Sequence, residues 1–168
     1  MDLNAFYATV STISFTLLGL WWVVVQSRPA LWDDPTHRRM AYAISFHFLL
    51  PGMMAILSMI APDSPFLWRT TFTLAGLMGL IGAIYYVRTL RDTHDCPRIV
   101  RIVEWVVIPI YAVITAVALF PEFVRNLGWN LTPLQVEGII LSILLFLGVQ
   151  AAWVLMLEPP KTSEDRST

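Results

Sequence analysis

The sequence predicts an all-helical protein, a polytopic transmembrane bundle of five helices, and two observations carry that prediction. First, five long stretches contain no charged residue; they cover 5–25, 40–61, 70–87, 105–120 and 138–157. We interpret each as one membrane crossing, because a helix needs about 20 apolar residues to pass a hydrocarbon core roughly 30 Å thick. Second, charged residues make up only 14% of the chain, against about 25% in a typical soluble domain.

Turn residues between the stretches set the ends of the predicted helices. Asp34, Ser64 and Thr132 each stand directly before a proline, which is the preferred order of a cap residue and a first helical residue. Gln135 follows Thr132 by three residues and predicts a capping box. The predicted spans are about 5–26, 39–61, 66–88, 98–120 and 134–157. They form a single domain over 1–158, and the polar segment 159–168 is predicted to be a disordered cytoplasmic tail.

The distribution of basic residues predicts the orientation. Of the 11 lysine and arginine residues, only Arg69 and Arg125 fall on one side of the predicted bundle; all the others fall in 26–39, in 88–101 and in the tail. Lysine and arginine accumulate on the cytoplasmic side of membrane proteins. We therefore expect the N-terminus outside and the C-terminus in the cytoplasm. The expected location is the plasma membrane, or the inner membrane if the source is bacterial.

Small residues and prolines mark how the helices pack. The third span repeats small side chains at steps of three and four residues: Ala75, Gly76, Gly79, Gly82 and Ala83. Such a face lets two helices approach closely in lipid, either within one chain or between two copies. Pro51 and Pro109 interrupt the second and fourth spans. Each is expected to kink its helix, because proline has no N–H to donate to the carbonyl four residues earlier.

Ionisable residues within the spans are the first functional candidates, because they are costly to place in lipid. His47 lies in the second span, and Pro51 leaves its carbonyl without a helical donor. The ring is either a site for a proton, a water or a metal, or a neutral side chain bonded to a neighbouring helix. Arg101 and Glu104 are spaced to form an ion pair, and Glu104 is alternatively a cation or proton site. Glu137 follows the cap of the fifth helix, where the helix dipole and water would stabilise it.

The first span carries a polar stripe on one helical face. Asn4, Tyr7, Ser11 and Ser14 follow steps of three and four residues. Leu18 and Trp21 continue the stripe inward, and Trp21 or Trp22 is the expected constriction. In an oligomer this face would form a pore with an aromatic constriction. The alternative is that the hydroxyls bond to their own helix and have no further role.

Metal, cofactor and catalytic functions have little support. His37, His94, Asp95 and Cys96 form a weak zinc candidate, since no ligand-pair spacing typical of zinc sites joins them. A single histidine within the spans cannot give a bis-histidine haem in one chain, and no cofactor is predicted. No P-loop, nucleophile elbow or zinc-protease motif occurs, so no enzymatic activity is predicted. A net charge of −1 does not favour nucleic-acid binding.

Two functions remain open at this point. The first is a homo-oligomeric channel or pathway for a small solute or ion, favoured by the polar stripe and the ionisable residues. The second is a non-catalytic accessory or assembly subunit of a larger membrane complex, favoured by the small size and the absence of motifs. The expected partners are the lipid bilayer, further copies of the chain and, in the second case, that complex.

Overall fold

The computed structural model describes residues 2–28, 35–60, 64–91, 98–126, 128 and 131–157, and within them it contains helices and no strand. This confirms the all-helical class. The helices are α1 (Leu3–Gln26), α2 (Pro35–Ile60), α3 (Pro65–Arg91), α4 (Arg98–Leu119), α5 (Pro121–Asn126) and α6 (Pro133–Leu157). The short helix α5 follows Pro121 and had no counterpart in the sequence prediction. The predicted tail, 159–168, lies outside the described residues.

The described helices include four that are long and apolar enough to cross a membrane: α1, α2, α3 and α6. They identify the chain as a membrane protein. The fourth predicted span differs from these, because the apolar part of α4 covers only Trp105–Leu119. The remainder of α4 begins with basic residues from Arg98.

Caps fix the first residues of α1 and α6. The carboxylate of Asp2 accepts hydrogen bonds from the N–H groups of Asn4 (3.0 Å) and Ala5 (3.3 Å), and this cap was not predicted. The predicted capping box is confirmed at α6. Gln135 Oε1 accepts from the Thr132 N–H at 2.8 Å, and Thr132 Oγ1 accepts from the Gln135 N–H at 3.3 Å. These bonds use N–H groups that have no partner within a helix.

The bundle is arranged around α2 and α6. Helix α2 packs against α1, α3 and α6, while α6 also contacts α1 and α4, and α3 pairs with α4. The side chains that fill the interior are mainly large and apolar; Phe48, Phe72, Tyr111, Ile114 and Leu144 are almost fully buried. Each long helix therefore buries one face and leaves the opposite face to lipid, as Leu20, Ile81 and Phe146 show by their exposure.

One end of the bundle, which we call the basic end, is where α1 and α6 finish and α2 begins. There the indole N–H of Trp21 donates to the Ala41 carbonyl at 3.0 Å. The Arg28 guanidinium donates to the Met156 carbonyl at 2.8 Å. Such bonds between an arginine and the last carbonyls of a helix satisfy acceptors that the helix itself leaves open.

At the other end, which we call the α5 end, the first turns of α1 and α6 lie together. The Tyr7 hydroxyl donates to the Leu134 carbonyl at 2.7 Å, and Phe6 lies against Gly138. Arg69 of α3 donates to the carbonyls of Ala118 (3.0 Å) and Leu119 (2.8 Å) at the end of α4.

The small residues of α3 separate into two faces. Gly76 and Gly79 face α4, where an added Cβ atom would meet Thr115 and the ring of Tyr111 respectively. An added Cβ atom on Gly82 would meet no described atom within 4 Å. Ala83 is buried and Ala75 is partly buried. Of the two alternatives, close packing within the chain therefore accounts for Gly76 and Gly79 and leaves Gly82 without such a role.

Pro51 and Pro109 lie inside α2 and α4, and both helices continue past them. Beside Pro51, helix α1 comes close to α2, since a Cβ atom added to Gly52 would lie 3.0 Å from Ser14 Cβ. The two bends stay predictions.

We expect Gly79→Ala to destabilise the protein. The added methyl group would overlap the ring of Tyr111, and overpacking of a core costs about 1–3 kcal/mol. Gly82→Ala is the matched control, because it has open space and gains helix propensity of up to about 1 kcal/mol. The measurement is the thermal unfolding midpoint of each purified variant in the same detergent. Equal midpoints would mean that α3 and α4 are not in contact at Gly79.

Candidate functional site

Several polar side chains lie inside the bundle. We call five of them the polar interior: Tyr7, Ser11, Ser14, His47 and Glu137. Each is less than a tenth exposed. Three come from one face of α1, one from α2 and one from α6. Polar groups buried at membrane depth are costly unless they are bonded within the protein, so each needs an account of its partners.

Glu137 is fully buried, with 0% of its surface exposed. Neither carboxyl oxygen has a hydrogen-bond partner among the described residues. The sequence interpretation placed this residue in water at the end of its helix, and the structure corrects that placement. Glu137 is buried because it lies on the face of α6 that packs against the rest of the bundle. Leu141, Leu144 and Gly148 follow Glu137 at steps of three and four residues, and all are buried.

Tyr7 of α1 is bonded to the turn of α6 that precedes Glu137. Its hydroxyl donates to the Leu134 carbonyl at 2.7 Å, and Leu134 stands three residues before Glu137. Phe6 covers the next residue of α6, because a Cβ atom added to Gly138 would lie 2.7 Å from Phe6 Cε1. The first turns of α1 thus pack two aromatic side chains against α6, at Leu134 and at Gly138.

His47 occupies the middle of the bundle and is 4% exposed. Its Nδ1 lies 2.8 Å from the Ala43 carbonyl one turn earlier in α2, and because a carbonyl can only accept, Nδ1 is the donor. The ring is therefore bonded to its own helix, whereas the sequence alternative placed that bond on a neighbouring helix. A Cβ atom added to Gly148 would lie 2.9 Å from His47 Cβ, so α6 passes directly behind the histidine.

The polar stripe of α1 lies mostly inside the chain. Ser14 is fully buried and donates to the Val10 carbonyl at 2.7 Å, while Ser11 is buried beside it. Trp21 is buried and bonded to α2, and Trp22 is partly buried against Tyr42 with ring centroids 5.9 Å apart. Of the predicted pore-lining residues, only Asn4 is exposed. A path along this stripe would therefore run within one chain.

Other predicted site residues lie outside what the structure describes. Arg101 and Glu104 belong to α4, but their side chains are not among the described ones, so their ion pair stays a prediction. His94, Asp95 and Cys96 also lie outside the described residues. His37, the remaining member of the weak zinc candidate, is partly buried in the first turn of α2.

A cavity of about 570 Å³ opens between α2 and α3, and the sequence did not predict it. Its floor includes His47, Tyr86 and Tyr111, which are buried. Its rim includes exposed apolar and aromatic side chains, and Arg39 stands at the basic end. The full lining consists of Arg39, Tyr42, Ala43, Phe46, His47, Met78, Gly79, Ile81, Gly82, Ala83, Tyr85, Tyr86 and Tyr111. The sequence feature that could have indicated the cavity is Gly82, a small residue that makes no close contact with a neighbouring helix.

A smaller cleft of about 280 Å³ lies at the α5 end. Trp68 and Arg69 of α3, Glu122 and Arg125 of α5, and Leu134 of α6 belong to its wall. Leu134 is also the residue whose carbonyl binds Tyr7. The cleft therefore lies next to the contact between Tyr7 and α6, and it brings charged side chains to that end of the bundle.

We compared the chain with models of protein families, with curated proteins and with solved structures, and none of them matches it.

We expect Glu137→Leu to raise the stability of the protein. A buried polar group without a hydrogen-bond partner costs roughly 1–3 kcal/mol, and leucine of similar size removes that cost on a face already formed by leucines. The thermal unfolding midpoint in detergent is the measurement. The matched control is Leu141→Ala one turn further along the same face, which should lower the midpoint by creating a cavity. A lower midpoint for Glu137→Leu would show that the carboxyl group has a stabilising partner.

Proposed function

We propose that this protein is a non-catalytic membrane protein that conducts protons or small cations through the interior of each chain. The observation that carries the proposal is the Glu137 carboxyl group, buried on the core face of α6 without a hydrogen-bond partner among the described residues. Ionisable groups held at such cost inside membrane proteins mark ion and proton pathways. His47 supplies a second ionisable group in the same interior.

We propose five crossings, with α4 as the fourth, even though its apolar part is short. The support is the pairing of α3 with α4. Arg69 contacts Ala118, Gly76 faces Thr115 and Gly79 faces Tyr111. Residue numbers rise along α3 as they fall along α4, so the two helices run antiparallel at the same depth. These contacts cover ten residues of α3, about 15 Å, so α4 lies beside a membrane-spanning helix for about half of a hydrocarbon core, which supports a fifth crossing.

The proposed orientation places the basic end in the cytoplasm and the α5 end outside, in the plasma membrane. Arg28, Arg38, Arg39 and Arg88 all lie towards the basic end. At the α5 end, Arg69 is bonded to carbonyls of α4. The asymmetry of basic residues favours this direction of insertion.

The single cysteine of the chain provides a direct test of the orientation. Cys96 belongs to the connection between α3 and α4 at the basic end. In intact cells a membrane-impermeant maleimide is expected to leave Cys96 unlabelled and to label it after lysis. The matched variant carries Cys96→Ser and Asn126→Cys, which moves the thiol to the exposed end of α5 and should be labelled in intact cells. The reverse pattern would invert the bundle, and labelling of both positions from one side would contradict the crossing of α4.

The proposed route begins at the α5 end. The cleft beside α5 leads to Leu134 and Tyr7, and Glu137 is the first acceptor for a proton or cation. Arg69, Glu122 and Arg125 are the charged residues of that cleft. Arg69 is engaged with the end of α4, which leaves Glu122 and Arg125 to face an arriving ion.

The middle of the route follows α1. Gly148, which touches His47, lies 11 residues beyond Glu137, so about 16 Å separate the two ionisable groups along the helix axis. Ser11 and Ser14 lie between these depths, and Ser14 packs beside Gly52. The proposed route passes these hydroxyls, because hydroxyl groups both donate and accept hydrogen bonds.

The step from Ser14 to His47 involves Pro51. Gly52 is five residues beyond His47, which corresponds to about 7 Å along α2. Between them lies Pro51, which has no N–H of its own to donate at this depth. From His47 the route continues through the cavity towards Arg39 and the basic end. This arrangement favours protons over larger solutes, since the described interior is filled by side chains.

The second candidate function is that of an accessory subunit, which would associate with further copies of the chain or with a larger membrane complex. The observation in its favour is a group of strongly exposed phenylalanines near the α5 end: Phe66, Phe120 and Phe123. Exposed aromatic side chains are typical of surfaces that bind a partner. A path within one chain does not require self-association, so the two candidates differ in what the isolated protein does.

A flux assay distinguishes them. Purified protein in liposomes that contain a pH-sensitive dye, with a potassium gradient and valinomycin, is expected to take up protons faster than empty liposomes. Glu137→Leu and His47→Phe should each lower the rate at least about tenfold, the order of magnitude for loss of one proton-transfer group. Thr12→Val is the control, because Thr12 is exposed on α1 and bonded to its own helix. It should retain the wild-type rate.

Two outcomes would contradict the proposal. Wild-type protein that conducts no faster than empty liposomes would leave the accessory role, which co-purification with a larger complex from mild detergent would then support. Conduction that survives both Glu137→Leu and His47→Phe would separate transport from the polar interior.

A further inference from the structure

We propose that the cavity between α2 and α3 binds one acyl chain of an anionic phospholipid, with the phosphate at Arg39. The proposed proton route passes the same cavity, but the test of lipid binding does not measure conduction. The cavity has apolar walls over most of its length and a single cationic side chain at one end. That combination matches a molecule with one charged end and a long apolar body.

The dimensions agree with one leaflet of a bilayer. On α2 the lining runs from Arg39 to His47, eight residues apart, which corresponds to about 12 Å along the helix. Half of a hydrocarbon core roughly 30 Å thick is about 15 Å. An acyl chain that enters beside Arg39 therefore reaches His47 near the middle of the membrane, while its head group stays at the surface.

Basic side chains beside the cavity favour an anionic head group. Arg39 lines the cavity, and Arg38 and Arg88 are exposed at the same end. Basic side chains between membrane helices at this depth bind the phosphates of anionic lipids, and arginine can hold a phosphate through two parallel hydrogen bonds.

The opening of the cavity faces lipid. Phe46, Met78, Ile81 and Tyr85 line it and are each more than two fifths exposed. Exposed apolar side chains at membrane depth are in contact with acyl chains. The occupant therefore enters sideways from the bilayer, which favours a lipid over a small molecule from water.

The cavity results from the packing of α2 and α3. Gly82 leaves its middle open, because no described atom lies within 4 Å of a Cβ atom added there. Behind it, Tyr111 is held against Gly79 and forms part of the floor. A large side chain at Gly82 would fill the cavity without entering the core of the bundle.

Native mass spectrometry of the full-length protein provides the test. The protein in detergent is titrated with phosphatidylglycerol, which is anionic, and with phosphatidylcholine of the same chain length, which is zwitterionic. We expect one phosphatidylglycerol to bind about fivefold more tightly than phosphatidylcholine, the preference that one arginine near the membrane surface confers. Arg39→Gln should reduce this preference, and it should weaken phosphatidylcholine less than phosphatidylglycerol, because both lipids lose a contact to the phosphate but only phosphatidylglycerol loses the attraction of a net negative charge.

Filling the cavity gives the second arm of the test. Gly82→Trp is expected to weaken phosphatidylglycerol binding at least about tenfold, because the indole occupies the volume of the acyl chain. Gly82→Leu, a smaller substitution, should have the same effect in weaker form. Gly19→Trp is the matched control, since Gly19 is exposed on α1 and an added Cβ atom there also meets no described atom within 4 Å. It should bind as the wild type does.

Several results would overturn the proposal. Equal affinity for the two lipids would remove the role of Arg39, and wild-type binding by both Gly82 variants would place the lipid elsewhere. An equal loss in Gly19→Trp would reduce the effect to the presence of a tryptophan. A neutral apolar molecule that co-purifies, is lost in Gly82→Trp and is not displaced by phosphatidylglycerol would assign the cavity to a different occupant. None of these readouts depends on proton flux, so the two proposals can fail separately.

Discussion

The structure depends on one constraint: a polar group at membrane depth needs a partner inside the protein, because lipid offers none. Most hydroxyl groups meet it locally. Ser14, Ser45, Ser58, Thr115 and Ser142 each donate to the carbonyl four residues earlier in the same helix, and His47 does so through its ring. Glu137 is different, because neither of its carboxyl oxygens has a hydrogen-bond partner among the described residues. Its position on the core face of α6 is therefore the costliest feature of the described bundle, and it is the feature on which a function is most reasonably based.

Glycine determines where the helices approach and where they leave space. Gly138 admits Phe6, and Gly148 admits His47 and Phe48, so that α6 can lie close to α1 and α2. On α3 the same kind of residue has two consequences. Gly79 is covered by Tyr111, whereas Gly82, three residues later and turned away from α4, borders the cavity. A repeat of small residues is thus not one surface but two, because steps of three residues fall about 60° short of a full turn of a helix.

The sequence predicted the helices better than it predicted the site. Long uncharged stretches, prolines and the Thr132 capping box were sufficient for the helices and several of their ends, since these signals are local. The face on which a residue lies depends on neighbouring helices. Glu137 was assigned to water from its distance along α6, although its spacing to Leu141 and Leu144 placed it among core residues. The cavity depends on the relative position of α2 and α3, and α5 depends on how the chain turns after Pro121. Neither is encoded in the periodicity of a single segment.

His47 belongs to both features of the interior. Its Cβ atom touches α6 at Gly148, in the layer below the hydroxyl groups of α1, and its ring lines the cavity between α2 and α3. A lipid chain that filled the cavity would exclude water from one side of this ring. The proposed proton route leaves His47 through the same cavity. Occupancy of the cavity would therefore obstruct the step from His47 to the basic end, and it would leave the step that loads Glu137 unchanged, since Glu137 lies about 16 Å away towards the α5 end. With the two proposals taken together, lipid in the cavity would act on release of the proton and not on its entry.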